Sequence, residues 1–254
     1  MIVEKQLLRQ SFSRAAPRYD AVADFQREAG RRLMAACNPE YSPLHVLDAG
    51  CGTGHGLQLI AQRWPEASLL GLDFAAPMLA RLPAGATALC GDIEQLPLAD
   101  ASVDLVWSSL AMQWCDTSRV IGEVHRVLRS GGHFALCTLG PATFVELRRA
   151  FAGVDRFRHT NDFIDIDTLR LTLEDAGLMS AKLQRVEMVR HYPDLRSLLA
   201  SVRDLGANHV AASNRRPGLM GKAAWQRFAA NYERMRTTAG LPLTYDTYFV
   251  LAKK

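Results

Sequence analysis

A glycine-rich turn between an apolar run and a helical pattern constrains this chain more than any other feature of its sequence. Residues 44–47 are mostly apolar and predict a short buried strand. Residues 50–54 then read Gly-Cys-Gly-Thr-Gly, and residues 57–64 continue as a helical pattern. Glycine lets the backbone turn tightly and approach a ligand because it has no Cβ. A strand, a glycine turn and a helix N-terminus together predict a ligand-binding cradle.

The spacing of the glycines distinguishes between kinds of nucleotide ligand. The dinucleotide fingerprint G-x-G-x-x-G would need a glycine at position 55, where the chain has His55. The chain instead reads Asp48-x-Gly50-x-Gly52-x-Gly54, which resembles the first motif of class I S-adenosylmethionine (SAM) dependent methyltransferases. SAM carries an ammonium and a sulfonium but no phosphate. An acid beside the loop is therefore tolerated by SAM, whereas a pyrophosphate would be repelled by Asp48.

Two further acids follow the next two predicted strands. Residues 67–72 predict a strand that ends at Asp73, whose carboxylate could accept both hydroxyls of a ribose. Residues 86–90 predict another, and the resemblance places Asp92 on the adenine amino group and Ile93 against the ring. Each acid alone could be a solvated loop carboxylate or a helix N-cap. Three acids at successive strand ends favour a ligand site, because ligands bind at the carboxyl ends of strands in α/β sheets.

The remaining pattern alternates strands with helices and predicts an α/β fold. The resemblance implies a Rossmann-like class I methyltransferase: a seven-stranded, mostly parallel sheet with an antiparallel last strand, an N-terminal helical arm, and a helical lid insert between strands 6 and 7. The predicted strands still to be named are 103–108, 133–139, 179–192 and 243–252. The predicted helices are 4–36 (broken near Pro17, its second part 21–37), 75–82 with Pro77 in its first turn, 118–128 ended by Gly131-Gly132, 194–205 capped by Asp194 and ended by Gly206, and 222–237.

These elements divide the chain into four predicted parts: an arm at 1–40, a SAM-binding core at 41–192, a lid insert at 193–238, and the final core strand at 239–254. In related methyltransferases an arm of this kind closes over SAM, although it could instead only add to the core. The topology places the lid insert above the cofactor edge of the sheet, where it could cover the substrate or form a dimer interface.

Composition excludes several classes of protein. The chain has 254 residues, of which 48% are hydrophobic and 22% are charged, which is typical of a soluble globular protein. No apolar run approaches the roughly 18 residues of a membrane span, and the first residues do not resemble a signal peptide. The five cysteines are odd in number and form no C-x-x-C, which favours reduced, mostly buried thiols in a cytoplasmic protein and no metal site.

Charge is distributed unevenly along the chain. Residues 1–32 hold seven basic and four acidic residues and carry +3, whereas residues 33–189 hold twelve and eighteen and carry −6. Residues 190–236 hold nine and three and carry +6. An acidic core between two basic segments favours an anionic partner, although an arginine-rich solvated helix face would give the same count.

Four stretches support a closer resemblance. They are Phe12-Ser13-Arg14-Ala15-Ala16 with Tyr19-Asp20, Ser108-Ser109-Leu110-Ala111-Met112-Gln113-Trp114-Cys115, Leu205-Gly206-Ala207-Asn208-His209, and Leu241-Pro242-Leu243-Thr244-Tyr245. Together these stretches are similar to the family of malonyl-acyl-carrier-protein O-methyltransferases of biotin synthesis. They reach the insert and the tail, where generic methyltransferases diverge.

The resemblance implies transfer of a methyl group from SAM to the free carboxylate of a malonyl thioester. A carboxylate is already ionised at pH 7, which explains why no strong base follows the strand 103–108. The implied SAM-binding residues are Tyr19, Gln26, Asp48, Gly50, Cys51, Gly52, Gly54, Asp73, Met78, Asp92, Ile93 and Ser109. The implied catalytic residues are Tyr19, Gln113, Trp114, Arg203, Asn208 and His209, with Arg203 orienting the substrate because a guanidinium matches a carboxylate.

Acyl carrier proteins are acidic, so the basic segments are expected to meet this partner, with no role for nucleic acid or membrane. The expected docking residues are Arg14, Arg18, Arg196, Arg215, Arg216 and Lys222. Two alternatives remain. A small-molecule methyltransferase, for example of quinones, would explain the fold but not the basic insert. A non-catalytic SAM-binding or RNA-associated protein would explain the charge, but no RNA-binding module is recognisable.

Overall fold

A seven-stranded mixed sheet forms the centre of the computed structural model, which describes residues 2–38, 40–204, 218 and 220–254. Its strands are β1 (His45–Ala49), β2 (Ser68–Asp73), β3 (Ala86–Cys90), β4 (Val103–Ser109), β5 (Leu128–Leu139), β6 (Met179–Tyr192) and β7 (Leu241–Lys253). Within the described residues the strand order is β3-β2-β1-β4-β5-β7-β6.

The first five strands are parallel, and β7 is inserted antiparallel between β5 and β6. This arrangement confirms the predicted fold class. The strand order reverses at β1, which pairs with β2 on one side and with β4 on the other. Such a switch point opens a crevice at the carboxyl ends of the strands, where open α/β sheets bind ligands. The glycine turn lies at the carboxyl end of β1 and therefore at this crevice.

Helices cover both faces of the sheet. Because side chains alternate across a strand, neighbours such as Val46 and Leu47 enter different cores. The helices are α1 (Ile2–Ala15), α2 (Tyr19–Val22), α3 (Asp24–Ala36), α4 (His55–Arg63), α5 (Ala76–Leu79), α6 (Thr117–Val127), α7 (Val145–Phe151), α8 (Ile166–Asp175), α9 (Leu195–Asp204) and α10 (Lys222–Glu233). The first core contains side chains of α3, α4, α7, α9 and α10, and the second contains those of α6 and α8.

Several predicted boundaries differ from those observed. The prediction that Gly131-Gly132 ends a helix was wrong, because α6 ends at Val127 and β5 begins at Leu128. Gly131 has φ +80° and lies where the pairing of β4 with β5 changes register, so the glycines bend a strand. The arm is divided further than expected, with α2 and α3 separated at Ala23. Helices α7 and α8 lie in a stretch for which no helix was predicted.

Other local signals agree with the structure. Asp194 caps α9 by accepting a hydrogen bond from the Ser197 amide at 2.8 Å. Pro77 occupies the first turn of α5. Gly206, the predicted end of α9, lies outside the described residues, and the division into arm, core, lid insert and final strand stays a prediction.

The cysteines and the helices bear on the expected environment of the protein. All five cysteines are free thiols. Cys51 and Cys137 are buried, whereas Cys90 is exposed. No helix in the described ranges is long and apolar enough to cross a membrane.

Helix α10 offers a direct test of how the lid insert is attached to the core. Phe228 is fully buried, and its ring stacks on that of Phe151 in α7 with centroids 4.0 Å apart. We expect Phe228→Ala to lower the free energy of unfolding by about 3–5 kcal/mol, because it removes a large buried side chain and leaves a cavity. Trp225→Ala, in the same helix at a 43% exposed position, serves as the control and should cost less than about 1 kcal/mol. Urea denaturation measures both, and equal losses would contradict the packing described.

Candidate cofactor and substrate site

The glycine turn after β1 holds its shape through hydrogen bonds to β2. The amides of Gly50 and Cys51 both donate to the carbonyl of Leu72, at 2.8 and 2.9 Å. Gly50 has φ +82°, and a Cβ on it would overlap the Cβ of Ala111 in the loop after β4. Two strand-end loops thus meet at a distance that only glycine permits. Gly50 and Gly52 also line two pockets, so the backbone of the turn faces space that a ligand could occupy.

Asp48 is a buried acid at the floor of the turn. It is 2% exposed, and burial, with the charge of Asp73 adding to it, raises its pKa to about 8. A Cβ on Gly56, in the first turn of α4, would overlap the Asp48 carboxylate and approach Trp107 Nε1 to 2.9 Å. The small residue at position 56 lets the acid, the indole and the helix N-terminus lie together.

Three polar atoms around Asp48 have no hydrogen-bond partner among the described residues. They are Gln26 Oε1, His55 Nε2 and Trp107 Nε1, all buried. All three side chains line the same pocket as Asp48. Buried polar groups are normally satisfied, so such orphans indicate a ligand with polar groups of its own. An acid, an amide oxygen and ring nitrogens suit the ammonium and carboxylate of an amino acid, which fits the methionine end of SAM.

Asp73 joins the glycine turn to the loop after β2. Its carboxylate accepts hydrogen bonds from the amides of Ala75 at 2.8 Å and Gly52 at 3.0 Å. Burial raises the pKa of Asp73, and these two hydrogen bonds act in the opposite direction. Asp73 also lines a second pocket, which we call the adenosine pocket. Asp92, Met78, Ile93 and Ser109, all expected to bind SAM, line the same pocket. Each carboxylate oxygen keeps capacity for a further donor, as a ribose hydroxyl would supply.

The third acid has a partner that the sequence did not indicate. Lys5 of α1 lies 2.5 Å from Asp92 and 2.8 Å from Glu94, so the N-terminal helix is tied to the loop after β3. Asp92 Oδ1 also accepts from the amide of Glu94. Lys5 itself lines the adenosine pocket. Its partner Asp92 lies 87 residues away in sequence, so no local motif predicts the pair.

The arm closes over the glycine turn at a second point. Thr53 donates to Asp20 at 2.5 Å, and Arg81 lies 3.4 Å from the other oxygen of Asp20. The ring of Phe12 packs against Phe74 and Trp114, with centroids 6.0 and 5.8 Å apart. Residues 5–20 therefore form a cover over the adenosine pocket.

Tyr19 lies where three pockets meet. Its side chain lines the pocket around Asp48, which suits the methionine end of SAM, and also the adenosine pocket. It further lines a third pocket, described next. Burial raises the pKa of Tyr19 above its ordinary value, and the charges of Asp73 and Asp20 add to the shift. The phenol therefore remains protonated and is available as a hydrogen-bond donor.

The third pocket, which we call the chamber, has a volume of about 260 Å³ and is largely aromatic. Phe25 stacks on Tyr245 of β7 with centroids 3.7 Å apart, and Phe144 meets the same ring edge-on at 5.2 Å. Gln113 donates to the Leu110 carbonyl, and its Oε1 is buried without a partner in the described part of the chain. The residues lining the chamber include Phe12, Tyr19, Gln26, Gln113, Trp114, Phe151, His159, Thr160, Asn161, Phe163 and Arg203.

Most predicted site residues are brought together here. Gly50, Gly52, Asp48, Asp73, Asp92, Tyr19, Gln26, Gln113, Trp114 and Arg203 line the three connected pockets, whereas Gly54 caps α4 behind them. Asn208 and His209 lie outside the described residues. Sequence reasoning missed Lys5, Trp107 and His159. Trp107 lay in a predicted strand and could have been found as a buried indole that needs an acceptor.

Among the described residues, no group of three or more His, Cys, Asp or Glu side chains is arranged to hold an ion.

The raised pKa of Asp48 predicts a pH dependence of stability. A carboxyl group whose pKa is higher in the folded state stabilises the fold while protonated, and that contribution is lost as pH rises from about 4 through about 8. Without cofactor, the melting temperature of the wild type should therefore fall further between pH of about 5.5 and about 8.5 than the melting temperature of Asp48→Asn does. Thermal unfolding at the two pH values measures this.

Exposed Asp100→Asn is the control and should follow the wild type. SAM should raise the melting temperature of the wild type at high pH more than that of Asp48→Asn, because its ammonium stabilises the carboxylate. Parallel pH profiles for wild type and Asp48→Asn would exclude a buried, protonated Asp48.

Comparison with known proteins agrees with this geometry. Residues 47–136 match the family model described as a methyltransferase domain. A malonyl-[acyl-carrier protein] O-methyltransferase from Dechloromonas aromatica is 46% identical over 98% of this chain and 95% of its own length. The biotin biosynthesis bifunctional protein BioHC of Cellvibrio japonicus is 37% identical over 99% of this chain, which spans 51% of that protein.

A solved SAM-dependent methyltransferase from Thermotoga maritima superposes with a TM-score of 0.57 at 18% identity, covering 97% of this chain and 99% of its own. That likeness supports the fold alone. The identity to full-length relatives extends through the arm, the sheet and the lid insert, in agreement with the resemblance seen in the sequence. This chain belongs to the family of malonyl-[acyl-carrier protein] O-methyltransferases.

Proposed function

We propose that this protein transfers the methyl group of SAM to the free carboxylate of a malonyl thioester on acyl carrier protein, giving the methyl ester used at the pimeloyl stage of biotin synthesis. The observation that carries the proposal is the junction at Tyr19. There, a pocket suited to an amino acid and a pocket suited to a nucleoside open onto an aromatic chamber. Full-length relatives named for this activity support it.

The residues present fit SAM. Asp48 and Gln26 would bind the ammonium, and Trp107 and His55 offer nitrogens for the carboxylate. Asp73 would accept from the ribose, and Asp92 and Ile93 would meet the adenine. SAM supplies a methyl group made electrophilic by its sulfonium. The remaining work falls to side chains that bring an oxygen nucleophile to that methyl and keep water away.

The chamber suits a nucleophile that is already anionic. A malonyl carboxylate is ionised at pH 7, so it needs no general base. Gln113 and Trp114 contribute an amide and an indole, and Tyr19 contributes a protonated phenol, all of which orient a substrate without deprotonating it. Holding the two reactants in line can supply roughly 7–11 kcal/mol of the barrier reduction. Aromatic walls also remove water from the carboxylate and so raise its reactivity.

Arg203 would orient the incoming acyl group from the end of α9. It lines the chamber, and its side chain is exposed, so it lies where substrate enters. A guanidinium held to both oxygens of the attacking carboxylate would blunt it. We therefore assign Arg203 to one carboxylate oxygen or to the thioester carbonyl, with Asn208 and His209 as hydrogen-bond partners.

Docking of acyl carrier protein would use the basic segments. Arg14, Arg18, Arg196 and Lys222 are exposed, and Arg215 and Arg216 lie outside the described residues. The first two belong to the arm and the others to the lid insert, which together border the chamber. An acidic carrier attracted by these charges should bind more weakly as salt rises.

One assay tests the proposed reaction. The protein is incubated with SAM labelled in its methyl group and, separately, with malonyl-acyl carrier protein, malonyl-CoA, quinols and RNA. We expect label in a base-labile ester on the malonyl thioester. Label on a quinol or on RNA, with none on a malonyl thioester, would overturn the proposal in favour of a different methyltransferase.

The role of Arg203 makes a separate prediction. Arg203→Ala should lower kcat/KM for malonyl-acyl carrier protein by about 10- to 100-fold, because it removes a charge-assisted hydrogen bond. SAM affinity, measured by calorimetry, should not change. Arg227→Ala, on α10, is the control, because Arg227 does not line the chamber. A matching loss of SAM affinity in Arg203→Ala would mean that the residue acts on the fold.

A further inference from the structure

The chamber contains a second basic side chain for which neither the fold nor the comparisons provide a role. His159 lies between α7 and α8 and lines the chamber together with Thr160 and Asn161. Its side chain is only 16% exposed, whereas Arg203, which also lines the chamber, is exposed. A charge on His159 would therefore be screened less by water than a charge on Arg203.

The ring of His159 is fixed by two contacts. Its Nε2 lies 2.8 Å from Asp155 Oδ1, and that oxygen also accepts from the amide of Phe157 at 3.0 Å. The ring stacks on Phe151 with centroids 3.3 Å apart and an interplanar angle of 4°. Phe151 in turn stacks on Phe228 of α10. The ring is therefore held at its edge by Asp155 and on its face by Phe151.

Both contacts are ones that a charged imidazolium can keep while it binds an anion. The Asp155 carboxyl group lies at hydrogen-bond distance from the ring and is 10% exposed. An aromatic face beneath a cationic ring adds an electrostatic attraction. With Nε2 directed at Asp155, the second ring nitrogen, Nδ1, is the one left to meet a ligand. A protonated ring would offer an N–H there to an anion.

The other charged or titratable side chains on the chamber wall are few within the described residues. They are Tyr19, Tyr245 and Arg203. Burial raises the pKa of both tyrosines, so neither supplies a cation or a base. The chamber thus has one cation that is exposed to water, Arg203, and one imidazole that is largely buried, that of His159.

We infer that His159, held by Asp155 and Phe151, is the residue that binds the carboxylate of the malonyl group through Nδ1–H and distinguishes it from uncharged acyl groups. The inference rests on the proposed function. One oxygen of the carboxylate accepts from His159, and the other is left to attack the methyl group. Of the two positions proposed for Arg203, this leaves the thioester carbonyl. The ester product has no charge on this group and loses the interaction, so the contact favours substrate over product.

The experiment compares malonyl-acyl carrier protein with its methyl ester in the full-length protein. His159→Gln keeps a polar side chain but removes the charge. We expect it to raise KM for the malonyl substrate by about 10- to 100-fold, the size of a lost charge-assisted hydrogen bond. The inhibition constant of the methyl ester and the affinity for SAM should stay within about twofold, because neither contact involves the charge.

Two matched controls separate binding from folding. His191→Gln changes an exposed histidine on β6 that borders a different groove and should leave KM unchanged. Asp155→Asn should raise KM in the same direction as His159→Gln, because it removes the carboxylate that supports the charge. Asp162→Asn, at an exposed acid paired with Arg158, should not.

The outcomes are distinct. If wild-type protein forms no ester on a malonyl thioester, the proposed function fails and this inference fails with it. If the wild type is active but His159→Gln keeps its KM, only the inference is overturned. If His159→Gln weakens binding of the methyl ester as much as binding of the malonyl substrate, the residue shapes the chamber and does not recognise the charge of the carboxylate. That result also overturns the inference.

Discussion

Two buried carboxylates at the ends of β1 and β2 are the constraint on which the site depends. Burying an unpaired carboxylate is costly, so each must find donors or hold a proton. Asp73 finds donors in the amides of Gly52 and Ala75, and this requirement fixes the glycine turn. Asp48 lies beside orphaned polar atoms of Gln26 and Trp107, and its pKa is raised. The pocket therefore lacks a positive charge beside Asp48, and a cationic cofactor would supply it.

The same need for charge pairing holds the arm in place. Lys5 pairs with Asp92, while Asp20 accepts a hydrogen bond from Thr53 and lies near Arg81. Residues near the start of the chain are thus tied to the loops after β3 and β1 and to the segment after α5. These contacts are partly exposed, and each contributes little by itself. Their effect comes from position, because they hold aromatic rings of the arm across the adenosine pocket. Phe12 and Tyr19 of the arm line both the adenosine pocket and the chamber, so the arm forms part of the wall of each.

The chamber combines apolar walls with a small number of polar groups, which is what transfer to an anionic oxygen requires. Aromatic rings from the arm, β7 and α7 form the walls, and the polar groups come from the β4 loop and the segment before α8. A base is not needed where the nucleophile is already ionised, and selectivity then depends on recognising charge. Phe151 contributes to the chamber wall, packs on α10 and supports His159, so the lid insert and the chamber share one aromatic stack.

The sequence by itself determined the parts of this protein that depend on neighbouring residues. The glycine turn, the acids at or just after the ends of β1 to β3 and the Asp194 cap were predictable, because each arises from a local pattern of burial or backbone conformation. The antiparallel direction of the last strand was implied by the family resemblance and not by a local pattern. Gly131-Gly132 was misread because a glycine pair ends a helix or bends a strand equally well. Only the tertiary structure decided that Lys5 meets Asp92, that Tyr19 joins three pockets and that His159 enters the chamber. Those facts depend on contacts between segments far apart in sequence, and the side-chain partners in such contacts are chosen by packing in three dimensions, which no local spacing encodes.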